Sequence, residues 1–125
     1  MKRTSLSAGL FIPSLLKHGG VNERVYPCAA TAETKAPYVV FARKSQTGEP
    51  VKGADGADGV VICLWCYHSD YEMSIELAEK VRSSIEGKQA STENLKLRSA
   101  VMVNSSEGWV DDSYLQYMEF KLKIN

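Results

Sequence analysis

The chain is short of the features that usually announce a function. It has three cysteines, Cys28, Cys63 and Cys66, and two histidines, His18 and His68. An odd number of thiols in mostly apolar contexts fits a reducing compartment, not a disulfide framework. Fifteen lysines and arginines face 15 acids, so the basic excess of a typical nucleic-acid binder is missing. No apolar run approaches the roughly 20 residues of a membrane span, and no Gly-Lys-Ser/Thr closes a phosphate loop. The Met1-Lys2-Arg3 start and the apolar residues after it superficially suggest a secretory leader. Gly9, Pro13 and Ser14 interrupt that run, and Lys17-His18 arrive before any small-residue cleavage site, so a core helix is expected there.

What is present fits one domain over residues 1–125, with 44% hydrophobic residues. Its most organised stretch runs from Gly59 to Lys88. Val60 to Tyr67 is continuously apolar or aromatic and rich in β-formers, which predicts a buried strand over 59–67. Ser69 and Glu72 then have capping-box spacing. Leu77, Ala78, Val81 and Ile85 recur at helical intervals, and Gly87 stands where a C′ glycine would end the helix. A helix over 70–86 follows from these signals.

The rest of the chain is read around that unit. Leu6, Leu10, Ile12, Leu15 and Leu16 predict an apolar-faced helix over 5–18, ended by Gly19-Gly20 and disturbed in its first half by Pro13. Arg24-Val-Tyr26 is a short extended piece closed by Pro27. Further strands are expected over 38–44, 95–103 and 113–124, with polar connections at 89–94 and 104–112. In the last strand Tyr114, Gln116, Met118, Phe120, Leu122 and Ile124 share the expected core face. Residues 45–58, with Gly48, Pro50, Gly53 and Gly56, form a long hairpin loop. The fold class is therefore α+β: an antiparallel sheet of about four strands with two helices packed on one face.

Charge is unevenly spread. Residues 1–44 carry seven cations against Glu23 and Glu33, a net +5 that the remaining residues balance with −5. That polarity would favour head-to-tail stacking of copies if the two parts formed separate surfaces.

Reactive motifs are few. Cys63-Leu-Trp-Cys66 has redox or half-zinc spacing, but in a strand residues three apart point to opposite faces, so both thiols are expected to be structural and buried, as is Cys28. Cys66 and His68 share a strand face and define the only enzyme reading, a small Cys/His hydrolase or redox enzyme. The aspartates in Gly53-Ala-Asp-Gly-Ala-Asp-Gly59 lack the alternating ligands and closing glutamate of a calcium loop. Trp109 is either an exposed aromatic contact or a lid on the core. No cofactor and no metal is expected.

Taken in order, several segments carry a family resemblance. They are the glycine-ended first helix, Val21-Asn-Glu-Arg-Val-Tyr-Pro27, Ala36-Pro-Tyr-Val-Val-Phe41, the glycine-rich connection, the strand Val60–Tyr67 with its helix, and two closing strands. From about Leu6 to Ile124 the chain resembles the tail-completion, or head–tail joining, proteins of long-tailed phages and prophages, which are similar in fold to tail terminators. Pro13 and the Cys63-Leu-Trp-Cys66 strand depart from that pattern. The resemblance implies a non-enzymatic virion protein, found in the host cytoplasm during assembly. It further implies a hexameric ring that completes the tail, docks to head-connector and tail-tube proteins and lets DNA pass without specific binding. In that setting Glu49, Lys52, Asp55 and Asp58 would be the charged contacts of an assembly-interface loop. The alternative reading is a cytosolic α+β binding module.

Overall fold

The computed structural model describes residues 3–31, 33–47, 58–92 and 94–125. A short 3-10 helix, Ser5–Leu10, leads directly into α1, Phe11–His18. There follow β1 (Arg24–Pro27), β2 (Tyr38–Thr47), β3 (Asp58–His68), α2 (Tyr71–Ile85), β4 (Ala90–Thr92), β5 (Leu95–Val110) and β6 (Ser113–Ile124). The strands form one six-stranded sheet in the order β1-β2-β3-β6-β5-β4, with β1 parallel to β2 and every other pair antiparallel. The sheet curls into a half-barrel.

This corrects the expected four-stranded antiparallel sheet. The two additional strands are edges of four and three residues, too short to show an alternating pattern. Arg24-Val-Tyr-Pro27 pairs parallel to Tyr38–Phe41, and Ala90–Thr92 pairs back onto Leu95–Leu97. Nor does β5 stop at Val103. It runs to Val110, and a two-residue turn, Asp111-Asp112, reverses the chain with φ of 50° and 60°. Left-handed conformation at both central residues is the type I′ hairpin requirement, which aspartate tolerates better than most residues. Residues 104–110 show no hydrophobic alternation because this part of β5 is exposed along its length.

At the N-terminus, Pro13 falls in the first turn of α1, where a missing N–H costs little. The preceding 3-10 turn has three residues per turn, so Ser5 and Ala8 point inward and Leu6 and Leu10 point out. In α2 the cap is Asp70, whose carboxylate accepts from Met73 N at 2.9 Å, one position past the expected Ser69. Gly87 follows at φ 75°, and its N–H donates to Ala100 O at 2.8 Å.

One core cluster unites these elements on a single side of the sheet. Val60, Ile62, Leu64 and Cys66 of β3 lie beside Met118, Phe120, Leu122 and Ile124 of β6. Ile12 and Leu16 of α1 and Leu77, Val81 and Ile85 of α2 cover them. The alternate residues of β3 and β6, among them Cys63, Trp65, Tyr117 and Glu119, belong to the opposite face.

Candidate assembly surfaces

Of the four residues assigned to the interface loop, Glu49, Lys52 and Asp55 lie outside the described residues. Asp58 is the first residue of β3, opposite Ile124 of β6, and not part of a loop. Its Oδ2 accepts from Ser5 Oγ at 2.6 Å, and Ser5 Oγ accepts from Gln46 Nε2 at 2.6 Å. The end of β2 and the start of β3 are thus tied to the buried side of the 3-10 helix.

The Cys66–His68 pair does not assemble into a nucleophile and base. Cys66 is fully buried in the core, and burial, with a smaller effect of Glu23, pushes its thiol up to about 12. A thiol so disfavoured as thiolate is a poor nucleophile. His68 Nδ1 accepts from Asp70 N at 3.1 Å, which holds the imidazole at the helix start. Among the described residues there is no group of three or more His, Cys, Asp and Glu side chains placed to hold a metal. Among those residues, too, no helix is long and apolar enough to cross a membrane.

Cys63 is buried on the other face, so the two thiols of the Cys-x-x-Cys segment are separated by the sheet itself. Cys28, expected to be buried, is exposed. It follows Pro27 at φ 65°, and its N–H donates to Phe41 O at 2.7 Å. A thiol-specific reagent is therefore expected to label one cysteine per native chain rapidly and all three in denaturant. Rapid labelling of two or three in the native protein would contradict this packing.

The face without helices carries a buried polar cluster. Glu119 is only 8% exposed. Its Oε2 accepts from Tyr117 Oη at 2.6 Å and from Lys44 Nζ at 3.1 Å. The Tyr117 oxygen also lies 3.0 Å from Cys63 Sγ, and its ring is 5.4 Å from that of Trp65. These bonds satisfy a carboxylate that would otherwise be costly to bury. The Tyr117 hydroxyl, and then Lys44, hold the Glu119 carboxyl below the usual range. Burial first, then the hydrogen bonds with Cys63 and Glu119, raise the Tyr117 phenol above its usual value.

Because the folded pKa of Glu119 is depressed, its contribution is complete above the unfolded carboxylate value, about 4.3. It is lost as pH falls through the folded value. Glu119→Gln is expected to lower the thermal midpoint at pH 7, and the gap to the parent chain should narrow below about pH 4. A gap independent of pH would exclude the charged form as the source of the effect.

Two further surfaces take shape only in the fold, although the sequence already marks Trp109 as a contact or a lid. Leu6 and Leu10, 65% and 53% exposed, line a groove of about 590 Å³ between the 3-10 helix and the β1–β2 edge. A helical period assigned them to the core, and the three-residue period of the 3-10 turn removed them from it. The second surface is the aromatic end of the molecule, where Tyr114 packs edge-on against both Trp109, at 4.7 Å, and Tyr71, at 5.3 Å. Tyr71 Oη donates to Glu107, which also accepts from Gln116 Nε2 at 2.9 Å. Trp109 remains 57% exposed, which decides between contact and lid: it is a surface aromatic.

No family model and no curated protein sequence matches the chain. Among solved structures, a chain in the virion of the native gene transfer agent (GTA) particle is similar, with a TM-score of 0.63 and 12% sequence identity. The likeness covers 87% of this chain and 83% of that one. At that identity what the two share is the fold.

Proposed function

We propose that the protein is a structural subunit of a phage-like particle, one that completes the tail and joins it to the head as a member of a ring. The observation that carries this reading is the likeness in fold, over 87% of the chain, to a component of a gene transfer agent virion. The resemblance of the sequence to tail-completion proteins supports the more specific part. A hexameric ring would sit between head connector and tail tube, with DNA passing through its channel. The loop joining β2 to β3 would supply contacts through Glu49, Lys52 and Asp55. Asp58 would act from its base, where Ser5 already engages its carboxylate.

The test is made in the host that carries the gene. Deleting the gene is expected to leave filled heads and separate tails, visible by electron microscopy. Complementation with a chain whose residues 48–57 are replaced by an Asn-Gly turn should fail to restore joining. The thermal midpoint of that chain should nonetheless stay close to the parent's, because surface-loop length changes closure entropy slowly. Normal infectious particles from the deletion would overturn the function. Normal particles from the shortened chain would overturn only the role of the loop.

A further inference from the structure

The groove and the aromatic hairpin end are complementary in charge. The groove is lined by apolar residues such as Leu6, Leu10, Pro13 and Phe41, and among the described residues its charged lining is Arg3 and Arg43, with no acid. Residues 104–116, the β5–β6 hairpin, exposed from 104 to 112, carry Glu107, Asp111 and Asp112 and no lysine or arginine. At its end stand Trp109 and Val110, both exposed. A protruding indole framed by acids and an apolar groove flanked by arginines is the pairing expected of an interface anchor.

The two surfaces are also separate patches: the β2 residues of the groove, Phe41 to Arg43, pair with Leu64 to Ile62 in the middle of β3. The hairpin end adjoins the last residues of β3, since Tyr114 pairs with His68. The 3-10 helix that walls the groove is tied to the first residue of β3 through Ser5 and Asp58. Each copy therefore presents two distinct patches, not one self-complementary patch. Two different patches joined between copies make a heterologous interface, which repeats around a ring or along a filament.

We infer that the hairpin end of one copy, with Trp109 as its anchor, docks into the Leu6–Leu10 groove of the next copy. This deepens the ring reading and rests on it for the claim that copies meet. Asp111 and Asp112, which line a hollow with Lys35 and Tyr38 of their own chain, then also face Arg43 across the contact, and the uneven charge of the chain acquires a structural purpose.

Cys28 lines the groove and is the one exposed cysteine, so it serves as a built-in reporter. In concentrated protein, Val110→Cys under mild oxidation should give a ladder of disulfide-linked dimers and higher species. The ladder should vanish when Cys28→Ser is added, and Lys88→Cys, exposed elsewhere, should not produce it. Asp111→Lys with Asp112→Lys should abolish it, and mixing in chains carrying Arg43→Glu should restore cross-linked dimers. By sedimentation, Trp109→Ala should weaken self-association about tenfold or more. Circular dichroism of each variant checks that it folds.

Absence of the Val110→Cys ladder overturns the inference and leaves the groove to a different partner chain. A ladder indifferent to the charge reversals overturns it as well. Rings that form equally well with Trp109→Ala would leave the ring reading standing and reject this interface. The gene-deletion phenotype decides the tail-joining function independently of all these outcomes.

Discussion

Phe120→Ala is expected to destabilise the protein by about 3–5 kcal/mol. Phe120 is fully buried in β6, opposite Ile62 of β3 on one side and Met102 of β5 on the other. Its ring faces the helix side of the sheet within the same cluster as Leu77 and Val81 of α2. Truncation removes the transfer energy of the ring and leaves a cavity that three hydrogen-bonded strands cannot easily close. Native domains are typically stable by about 5–15 kcal/mol, so the loss would consume a large share of the total. The measurement is urea unfolding, with the midpoint lowered and the slope unchanged. Val101→Ala is the control. Val101 is a neighbour in the same sheet but exposed, and its truncation should change stability by no more than about 0.5 kcal/mol. A loss at Phe120 no larger than that of the control would mean that β6 does not present this face to the core.

The face of β6 was legible because strand alternation and burial coincide there: Met118, Phe120, Leu122 and Ile124 are buried as their spacing predicts. The same spacing put Glu119 on the opposite face but gave no sign that it would be buried. That burial comes from Lys44 at the β2 bulge, distant in sequence, together with Tyr117 two residues away on the same strand face and the curl of the sheet. Periodicity misled where the local helix type changed, since a 3.6-residue period counts Leu6 and Leu10 as core and a 3-10 turn does not. Ser69 and Asp70 are both chemically able to cap. The choice of Asp70 follows from the phase of α2, whose buried Ser74, Leu77, Val81 and Ile85 must meet the sheet. The edge strands carried too few residues for a pattern. Asp111-Asp112, by contrast, held a readable hairpin signal, a pair of residues tolerant of positive φ between two extended runs. As for function, Trp109 stood out in the sequence, but the groove proposed as its partner exists only once the 3-10 helix packs against the sheet edge.

Gly19→Ala should produce the second large loss of stability, and for a reason unrelated to backbone freedom. Gly19 has φ −80° and ψ 0°, which any residue can adopt. What requires glycine is the approach of the α1 C-terminus to α2. An added Cβ would overlap Ser84 Oγ and Cβ and would lie 3.0 Å from Ser84 Cα. Rotating the hydroxyl would relieve only the first clash, and it would break the 2.6 Å bond that Ser84 Oγ donates to Lys80 O. The Cα belongs to the α2 backbone and the Cβ is fixed to it, so no rotamer moves either away; the helices must separate, and the core beneath them holds Leu16, Val81 and Ile85. Overpacking of this kind costs about 1–3 kcal/mol, occasionally more. Gly20→Ala offers the contrast. Gly20 has φ 86° with open space around it, so alanine there should incur only the left-handed penalty, about 1–2 kcal/mol. A double-mutant cycle separates the two causes. Ser84→Gly should cost about 1 kcal/mol alone through helix propensity, yet recover most of the Gly19→Ala loss when the two are combined. The same substitution should do nothing for Gly20→Ala. Simple additivity of Gly19→Ala and Ser84→Gly would show that the two helices do not meet at this pair, and the observed packing of α1 on α2 would then be wrong at its closest point.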